Sequence, residues 1–420
     1  MCKIMNSTLL QQRGFNKLNR LKVGAIFSAM GTGKTKMSLD LMAYKKKADY
    51  LLWICPCSLK GTIEEERQKW HPELKLHVVG VESIGSSNRI YAELLEELSH
   101  QNCIFCVVDE SLKIKNGGAK RTQRLLTISK LCEYKLILNG TPLTNNVLDL
   151  YTQFQFLSPL ILSESLLVFK NKYCEYYTRG ERKGMVRKQC NMENLISRVK
   201  PYIFDAKLDL KADKRYFDKP YELGVRELAQ YEEIKDEFIR TVSDSAEISF
   251  YVLVTKLHKF IAGCESKRRA LEEAVKGLGK AICFVKFIKS IPEGARHITG
   301  DMNQEERAQV IEEFKQSQGD QVLYITYGCG AFGLNLQFCH TIVFADRTWD
   351  YAMMTQAEAR VYRLGQNEDV SYITLYAENI GLEKILTKNL TRKTDMLKEV
   401  KEEISALNHE EQKKWLKKYL

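Results

Sequence analysis

Short apolar runs recur at residues 23–27, 50–54, 103–108 and 135–138, separated by longer stretches in which apolar positions return with helical spacing. A strand covered on both faces reads as a continuous apolar run, and a covering helix shows a single apolar stripe. The alternation therefore predicts a parallel sheet flanked by helices. A second set with the same rhythm occupies residues 281–285, 297–298, 322–325, 341–344 and 370–375. Two α/β lobes, residues 1–150 and 271–381, are the simplest account. Between them the character changes: Phe169, Tyr173 and Tyr176 fall at i, i+4 and i+7, which predicts a mainly helical insert over residues 151–270. Gly180 and Gly184 flank a basic stretch there that predicts a turn or hairpin. At residues 382–420, Leu382, Ile385, Leu386 and Leu390 again follow helical spacing amid many charges, predicting a C-terminal helical tail.

Composition narrows the class. A chain of 420 residues implies two or three domains, and 44% apolar with 10% aromatic residues excludes disorder, collagen and small disulfide scaffolds. Lys and Arg total 64 against 53 Asp and Glu; the net charge of +11 favours a polyanionic partner, with nucleic acid first among them. No apolar run approaches the roughly 20 residues of a membrane span. Gln11, Gln12 and Arg13 interrupt any leader-like apolar stretch, so an intracellular location is expected. Most of the 12 cysteines, among them Cys55, Cys57, Cys103, Cys106 and Cys283, lie in or beside apolar runs and are expected to be reduced core thiols. Cys103-x-x-Cys106 has half the spacing of a zinc site, but no second pair or His cluster accompanies it, so no zinc is expected there.

The sharpest local signal is Met30-Gly31-Thr32-Gly33-Lys34-Thr35, placed between an expected strand and the helix-like Met37, Leu39, Leu41 and Met42. Strand, glycine turn and helix in that order make a phosphate loop. Glycines let backbone N–H groups approach phosphates, the helix N-terminus favours their charge, Lys34 can reach the β and γ phosphates, and Thr35 can hold magnesium. The partner such a loop requires is a strand ending in carboxylates. Residues 104–108 deliver Asp109 to a strand end, where it can bind magnesium through water, and Glu110 beside it can polarise an attacking water.

With both motifs in place, the chain resembles the Swi/Snf-type family of superfamily-two helicase-like ATPases over residues 11–385, particularly its short bacterial and phage members. Gln11, three residues before Gly14, resembles the adenine-reading glutamine of that family. Cys55-Pro56-Cys57-Ser58-Leu59 with Trp70 is similar to the block that touches the DNA backbone. Asp109-Glu110-Ser111-Leu112-Lys113-Ile114-Lys115-Asn116 resembles its extended acidic motif, and Asn139-Gly140-Thr141-Pro142-Leu143 its coupling motif. In the second lobe, Gly300 with Arg307 and Phe314, and Gly330-Ala331-Phe332-Gly333-Leu334-Asn335, are similar to blocks that touch DNA or nucleotide. Asp346 and Trp349 follow. The most specific piece is Gln356-Ala357-Glu358-Ala359-Arg360-Val361-Tyr362-Arg363-Leu364-Gly365-Gln366.

The resemblance implies two RecA-like lobes and an ATP- and magnesium-dependent motor that moves on double-stranded DNA or remodels protein–DNA complexes. It places Gln11, Met30, Gly31, Thr32, Gly33, Lys34, Thr35, Gly333, Arg360 and Arg363 around ATP, with Gly140, Thr141 and Gln356 coupling hydrolysis to movement. Ser58, Lys115, Gly300, Gly330, Asn335 and Trp349 are implied as DNA contacts. Phosphoryl transfer spreads charge over the γ-phosphate oxygens, and guanidinium groups such as Arg360 and Arg363, expected three apart on a helix, stabilise that charge when the lobes close. A strand-separating DNA or RNA helicase, and a nucleotide-switched DNA-binding subunit with slow hydrolysis, stay open as alternatives.

The sequence also departs from the family pattern. Ser111-Leu112 stands where Ala-His is usual, so the coupling is expected to be looser or differently wired. Phe204-Asp205-Ala206-Lys207 replaces a basic run, which puts DNA contacts there in doubt. The basic run Lys113, Lys115, Lys120, Arg121 and Arg124 suits either a phosphate backbone or a solvated helix face. Lys170, Lys172, Arg179, Arg182 and Lys183, interleaved with Tyr173, Tyr176 and Tyr177, suit either base stacking or packing. A bare, monomeric motor without appended reader modules is expected, in a bacterial or phage-infected cytoplasm, or in the nucleus if the source is eukaryotic.

Overall fold

The computed structural model describes residues 7–140, 147–176, 186–206, 210, 212–241, 246–330, 334, 336–348, 351–363, 365–384, 411 and 414. The chain divides into two units, Met1–Asp209 and Leu210–Leu420.

In the first unit the strands are β1 (Val23–Ser28), β2 (Tyr50–Cys55), β3 (Leu76–Gly80), β4 (Ile104–Val108), β5 (Cys132–Asn139), β6 (Cys174–Tyr176), β7 (Val186–Gln189) and β8 (Ile203–Ala206). Six form one sheet in the order β3-β2-β4-β5-β1-β8, with every pairing parallel. The four expected strands are all present. β3 and β8 join the two edges, and β8 comes from the expected insert.

The strand period of two divides the core. Ala25, Phe27, Leu52, Ile54, Cys106, Val108 and Ile137 point to one face, and Ile26, Leu51, Trp53, Phe105, Val107, Leu136 and Leu138 to the other. Helices α1 (Leu9–Leu18), α2 (Lys34–Tyr44) and α3 (Lys60–Trp70) cover the second face with Phe15, Leu18, Met37, Leu39 and Ile63. The first face is covered by α4 (Val81–Ser86), α5 (Asn88–Ser99), α6 (Lys120–Ser129) and α7 (Leu148–Leu157), through Ile84, Leu94, Leu98, Leu125, Ile128, Leu150 and Phe154. Helices α8 (Leu166–Tyr173) and α9 (Met192–Val199) extend that layer. Phe169 and Tyr173 are fully buried in it, which settles them as packing residues, whereas Tyr176 lies on β6 rather than on the helix. β6 and β7 pair antiparallel on either side of the segment expected to turn, whose residues 177–185 are outside those described.

The second unit repeats the architecture. Its strands are β9 (Lys214–Tyr221), β10 (Lys280–Val285), β11 (His297–Ile298), β12 (Gln321–Thr326), β13 (Thr341–Phe344) and β14 (Val370–Ala377), ordered β11-β12-β10-β13-β14-β9 and all parallel. The helices are α10 (Val225–Thr241), α11 (Ala246–Ile261), α12 (Glu265–Val275), α13 (Gln304–Gln316), α14 (Tyr327–Gly330) and α15 (Tyr351–Glu358). Alternate residues again supply two cores, Ile282, Phe284, Leu323, Ile325 and Phe344 on one face and Ala281, Cys283, Tyr324, Val343 and Ile373 on the other. The segment 151–270 is mainly helical as expected, and its strands β8 and β9 each complete one of the two sheets.

Most cysteines, Cys55, Cys106, Cys132 and Cys283 among them, are buried free thiols. Cys57 and Cys103 depart from the expectation: Cys57 is exposed, because the chain leaves the sheet after β2 and makes a short turn, and Cys103, one residue before β4 begins, is only half-buried. Among the described residues no helix is long and apolar enough to cross a membrane. Most of the expected tail, including Lys413, Trp415, Lys417 and Lys418, lies outside the described residues.

Candidate nucleotide site and its surroundings

β1 ends at Ser28, and the chain turns through Gly31 (φ 78°) and Gly33 (φ 80°) into α2. Both angles are in the left-handed region, where a Cβ is strained, so the glycines are needed for the shape of the turn. Gly33 is the N-cap of α2 and offers no side chain there, which leaves the first N–H groups of the helix facing the loop. The Thr32 hydroxyl donates to Ala29 O at 2.8 Å, and Lys34 Nζ donates to Ser28 O at 3.0 Å and Ala29 O at 3.3 Å. The ammonium is thus folded over the loop it follows. Thr35 is half-buried in the first turn of α2, and Met30 packs against Gly140 at the end of β5, where an added Cβ would lie 3.0 Å from Met30 Cε.

Asp109 stands at the C-terminal end of β4, with β5 alone between that strand and β1. Open parallel sheets bind ligands outside the carboxyl ends of their strands. Burial, with Glu110 adding to it, pushes the Asp109 carboxyl well above the usual carboxylate range; Lys34 and the Glu110 N–H, which donates to Asp109 Oδ1 at 2.9 Å, pull the other way. The loop that carries Lys34 follows β1 and Asp109 ends β4, so both stand at the carboxyl edge of one sheet. Glu110 has φ 50° and ψ 53°, a left-handed conformation that costs a non-glycine residue roughly 1–2 kcal/mol. Two adjacent carboxylates and the Thr35 hydroxyl are hard oxygen donors suited to magnesium, and a cation would offset the burial, and the smaller repulsion from Glu110, that raise Asp109.

Gln11 sits at this loop. Its amide packs so closely on Gly33 that a Cβ there would fall 2.1 Å from Gln11 Nε2. A capping box holds it: Gln11 N donates to Thr8 Oγ1, and Thr8 N donates to Gln11 Oε1 at 2.9 Å. Gly14 explains the Gln-x-x-Gly spacing, since a Cβ at that position would meet Met37 Sδ at 2.6 Å and the Phe204 ring at 2.8 Å. Only glycine lets α1 approach α2 and β8 this closely.

Sequence inspection did not single out the ion network behind the loop. Lys36 Nζ bonds Asp40 Oδ2 at 2.9 Å and Ser7 Oγ at 2.6 Å, and His71 Nε2 meets Asp40 Oδ1 at 2.8 Å. Lys36 and Asp40 are both buried. The signal was Lys36 and Asp40 at i, i+4 on an otherwise apolar helix face. Burial alone would raise Asp40, but its bonds to His71 and Lys36 outweigh that and hold it below its ordinary value. The bond to Asp40, opposed by burial and aided by Glu73, raises His71 above its ordinary 6.5. A group whose folded pKa is raised stabilises fully below the unfolded value and loses that contribution as pH rises through the folded one. Thermal melts are therefore expected to show wild-type Tm falling from pH 6.5 upward, more steeply than in His71→Gln. Parallel profiles for the two proteins would contradict this.

The expected DNA-contact residues of the first unit are tied into the fold to differing degrees. Ser58 is exposed on the turn after β2. Lys115 Nζ lies 3.2 Å from Asp149 Oδ2, and Lys113 Nζ 3.4 Å from Glu82. Arg124 corrects both readings of the basic run. It is buried, donating to Ile84 O at 2.6 Å and Ser87 O at 3.0 Å, because the C-terminal end of α4 leaves carbonyls that its guanidinium satisfies.

In the second unit, Gln356 is half-buried on α15, but that helix ends at Glu358. Arg360 and Arg363 therefore lie in the following turn and not on a helix, as the spacing had predicted. The turn is pinned from below. Gly365 has φ 99° against the Gln337 amide, and buried Gln366 donates to Gln337 O and Cys339 O at 3.1 Å each while its Oε1 accepts from Asn367 N at 3.0 Å. Gly365-Gln366 is thus a structural clasp that presents the arginines. Asp346 is buried too, bonded to Lys267, to Ser290 Oγ at 3.2 Å and to Lys286 N at 2.7 Å. Gly300 is exposed after β11, its carbonyl accepting from Arg307 at 3.3 Å, and Gly330 ends α14. Thr141, Gly333, Asn335 and Trp349 lie outside the described residues.

Residues 15–220 match the SNF2-related domain, and residues 253–365 match the helicase conserved C-terminal domain. An uncharacterized ATP-dependent helicase of Mycoplasma pneumoniae is 25% identical over 91% of this chain and 41% of its own length. The DNA annealing helicase and endonuclease ZRANB3 of Mus musculus is 26% identical over 92% of this chain and 40% of its own. The chain thus spans about two fifths of the length of these curated relatives. A solved Sulfolobus solfataricus SWI2/SNF2 ATPase core in complex with dsDNA is 23% identical, covering 97% of this chain and 96% of that one, with a TM-score of 0.43. With the two domain matches in order along a chain that carries a phosphate loop, a strand-end Asp-Glu pair and a clasped arginine turn, the protein belongs to the SNF2-type family of superfamily-two helicase-like ATPases.

Proposed function

We propose that the protein hydrolyses ATP with magnesium and couples each turnover to movement on double-stranded DNA or remodelling of protein–DNA complexes. One observation carries the reading: Lys34 on its glycine loop and Asp109-Glu110 at the strand end come together at the carboxyl edge of one sheet. Thr35 and Asp109 would hold the magnesium, which when bound would neutralise phosphate charge. The loop N–H groups and Lys34 orient the β and γ phosphates, Glu110 takes the proton from the attacking water, and Gln11, at the loop, reads the base. Gly333, Arg360 and Arg363 supply backbone and guanidinium contacts to the transferring group. Gly140, Thr141 and Gln356 link hydrolysis to the DNA grip, which Ser58, Lys115, Gly300, Gly330, Asn335 and Trp349 provide. In this division of labour residues 1–150 hold the nucleotide and 271–381 carry the arginines. The net charge of +11 and the DNA-acting name of the ZRANB3 relative support DNA as the track.

ATP turnover measured side by side with duplex DNA, single-stranded DNA and RNA tests this. Duplex is expected to stimulate most, with triplex displacement and no fork unwinding. Fork unwinding would favour a strand-separating helicase. Slow turnover indifferent to every nucleic acid would favour a nucleotide-controlled binding subunit.

A further inference from the structure

Glu110 is held in a backbone conformation it would not adopt alone, and the residue after it shows what holds it there. Ser111 is fully buried, and its hydroxyl donates to Gln153 Oε1 on α7 at 2.6 Å. Gln153 is buried too, and its Nε2 donates to Asp149 O at 2.7 Å, one helical turn back, which fixes which end of the amide faces Ser111. Four residues further on, Lys115 pairs with the Asp149 carboxylate at 3.2 Å. The stretch between is closed by Lys113 N donating to Glu110 O at 2.9 Å and by Ile114 buried in the core. The turn that bears Glu110 is therefore clamped to α7 at two points, one buried and one half-exposed.

We propose that Gln153 is a positioning residue for hydrolysis, acting through Ser111 on Glu110. This rests on the ATPase reading above and adds the route by which α7 reaches the base. A hydroxyl–amide bond between two buried side chains has one geometry, so a shift or rotation of α7 moves Ser111, and the adjoining left-handed residue turns with it. The Ser111-Leu112 departure is in this way a different wiring and not a missing one. Gln153 touches no phosphate and binds no nucleotide; its effect falls on turnover.

A double-mutant cycle on kcat tests it, with Ser111→Ala, Gln153→Met and the double variant compared in steady-state hydrolysis with duplex DNA. Each single change is expected to lower kcat by about ten- to hundredfold with KM for ATP held within about twofold, since misplacing a reacting group by about 1 Å is that costly. The double is expected to lose no more than either single, because both cut one link. The double also removes donor and acceptor together, leaving no orphaned buried group, and so remains folded by circular dichroism even where a single does not. Wild-type kcat in the folded double, losses that multiply, or losses confined to KM would each overturn the proposal while leaving the ATPase reading intact. A wild-type protein inert toward ATP would overturn both.

Discussion

Lys34→Ala is expected to abolish DNA-stimulated ATP hydrolysis in a protein that still melts cooperatively. The ammonium is folded over the loop, bonded to the Ser28 and Ala29 carbonyls, and it acts on the strand-end carboxylate as well. Removing a charge aimed at a transferring phosphate costs at least about a hundredfold in turnover, on the scale of a lost oxyanion donor. The fold has little at stake: Lys34 is half-buried at the first position of α2, alanine is a better helix former, and two carbonyls losing a half-exposed donor costs about 1 kcal/mol. ATPase assays and calorimetric nucleotide titration check this, and weakened nucleotide binding is expected alongside the lost turnover. Undiminished hydrolysis would remove the loop from the mechanism.

Glu110→Gln is expected to lose about 10² to 10⁴ in turnover, the range of a general base, while nucleotide binding persists. The two predictions separate in that way, one residue holding the phosphates and the other taking the proton. Glutamine has the same size and the same cost at φ 50°, and the contacts that shape the turn, Glu110 N to Asp109 Oδ1 and Lys113 N to Glu110 O, are made by backbone. The variant therefore keeps its geometry and loses only its basicity. Single-turnover hydrolysis with saturating ATP isolates the step. Near wild-type rates would assign the proton to another acceptor.

The glycine loop was legible because its chemistry is local. A left-handed turn needs Gly31 and Gly33 whatever surrounds them, and strand, turn and helix follow one another in sequence. The strand-end carboxylates were legible for the same reason, an apolar run terminating in Asp109-Glu110. The arginine turn was half legible. Arg360, Arg363, Gly365 and Gln366 stood out by their resemblance to a family motif, but helical continuation past Glu358 was the wrong expectation. The positive φ of Gly365 and the carbonyls gathered by Gln366 belong to a clasp closed with residues 337–339, and helix spacing carries no trace of it.

The amino-acid sequence by itself determined two parallel α/β layers, most of their strands, the phosphate loop and the carboxylates opposite it, since each follows from periodicity or from a turn only glycine can make. Only the tertiary structure decided that β8 and β9, drawn from a mainly helical stretch, complete the two sheets, for an edge strand as exposed as β9 has no apolar run and takes its identity from pairing with β14. It likewise decided that Arg124 is a buried brace, that Lys36, Asp40 and His71 back the loop, and that Ser111 is tied to Gln153 across 42 positions. These are polar groups whose partners lie far away in sequence. Burial makes an unpaired one costly, so the fold must supply the partner, and only the folded chain shows which it is.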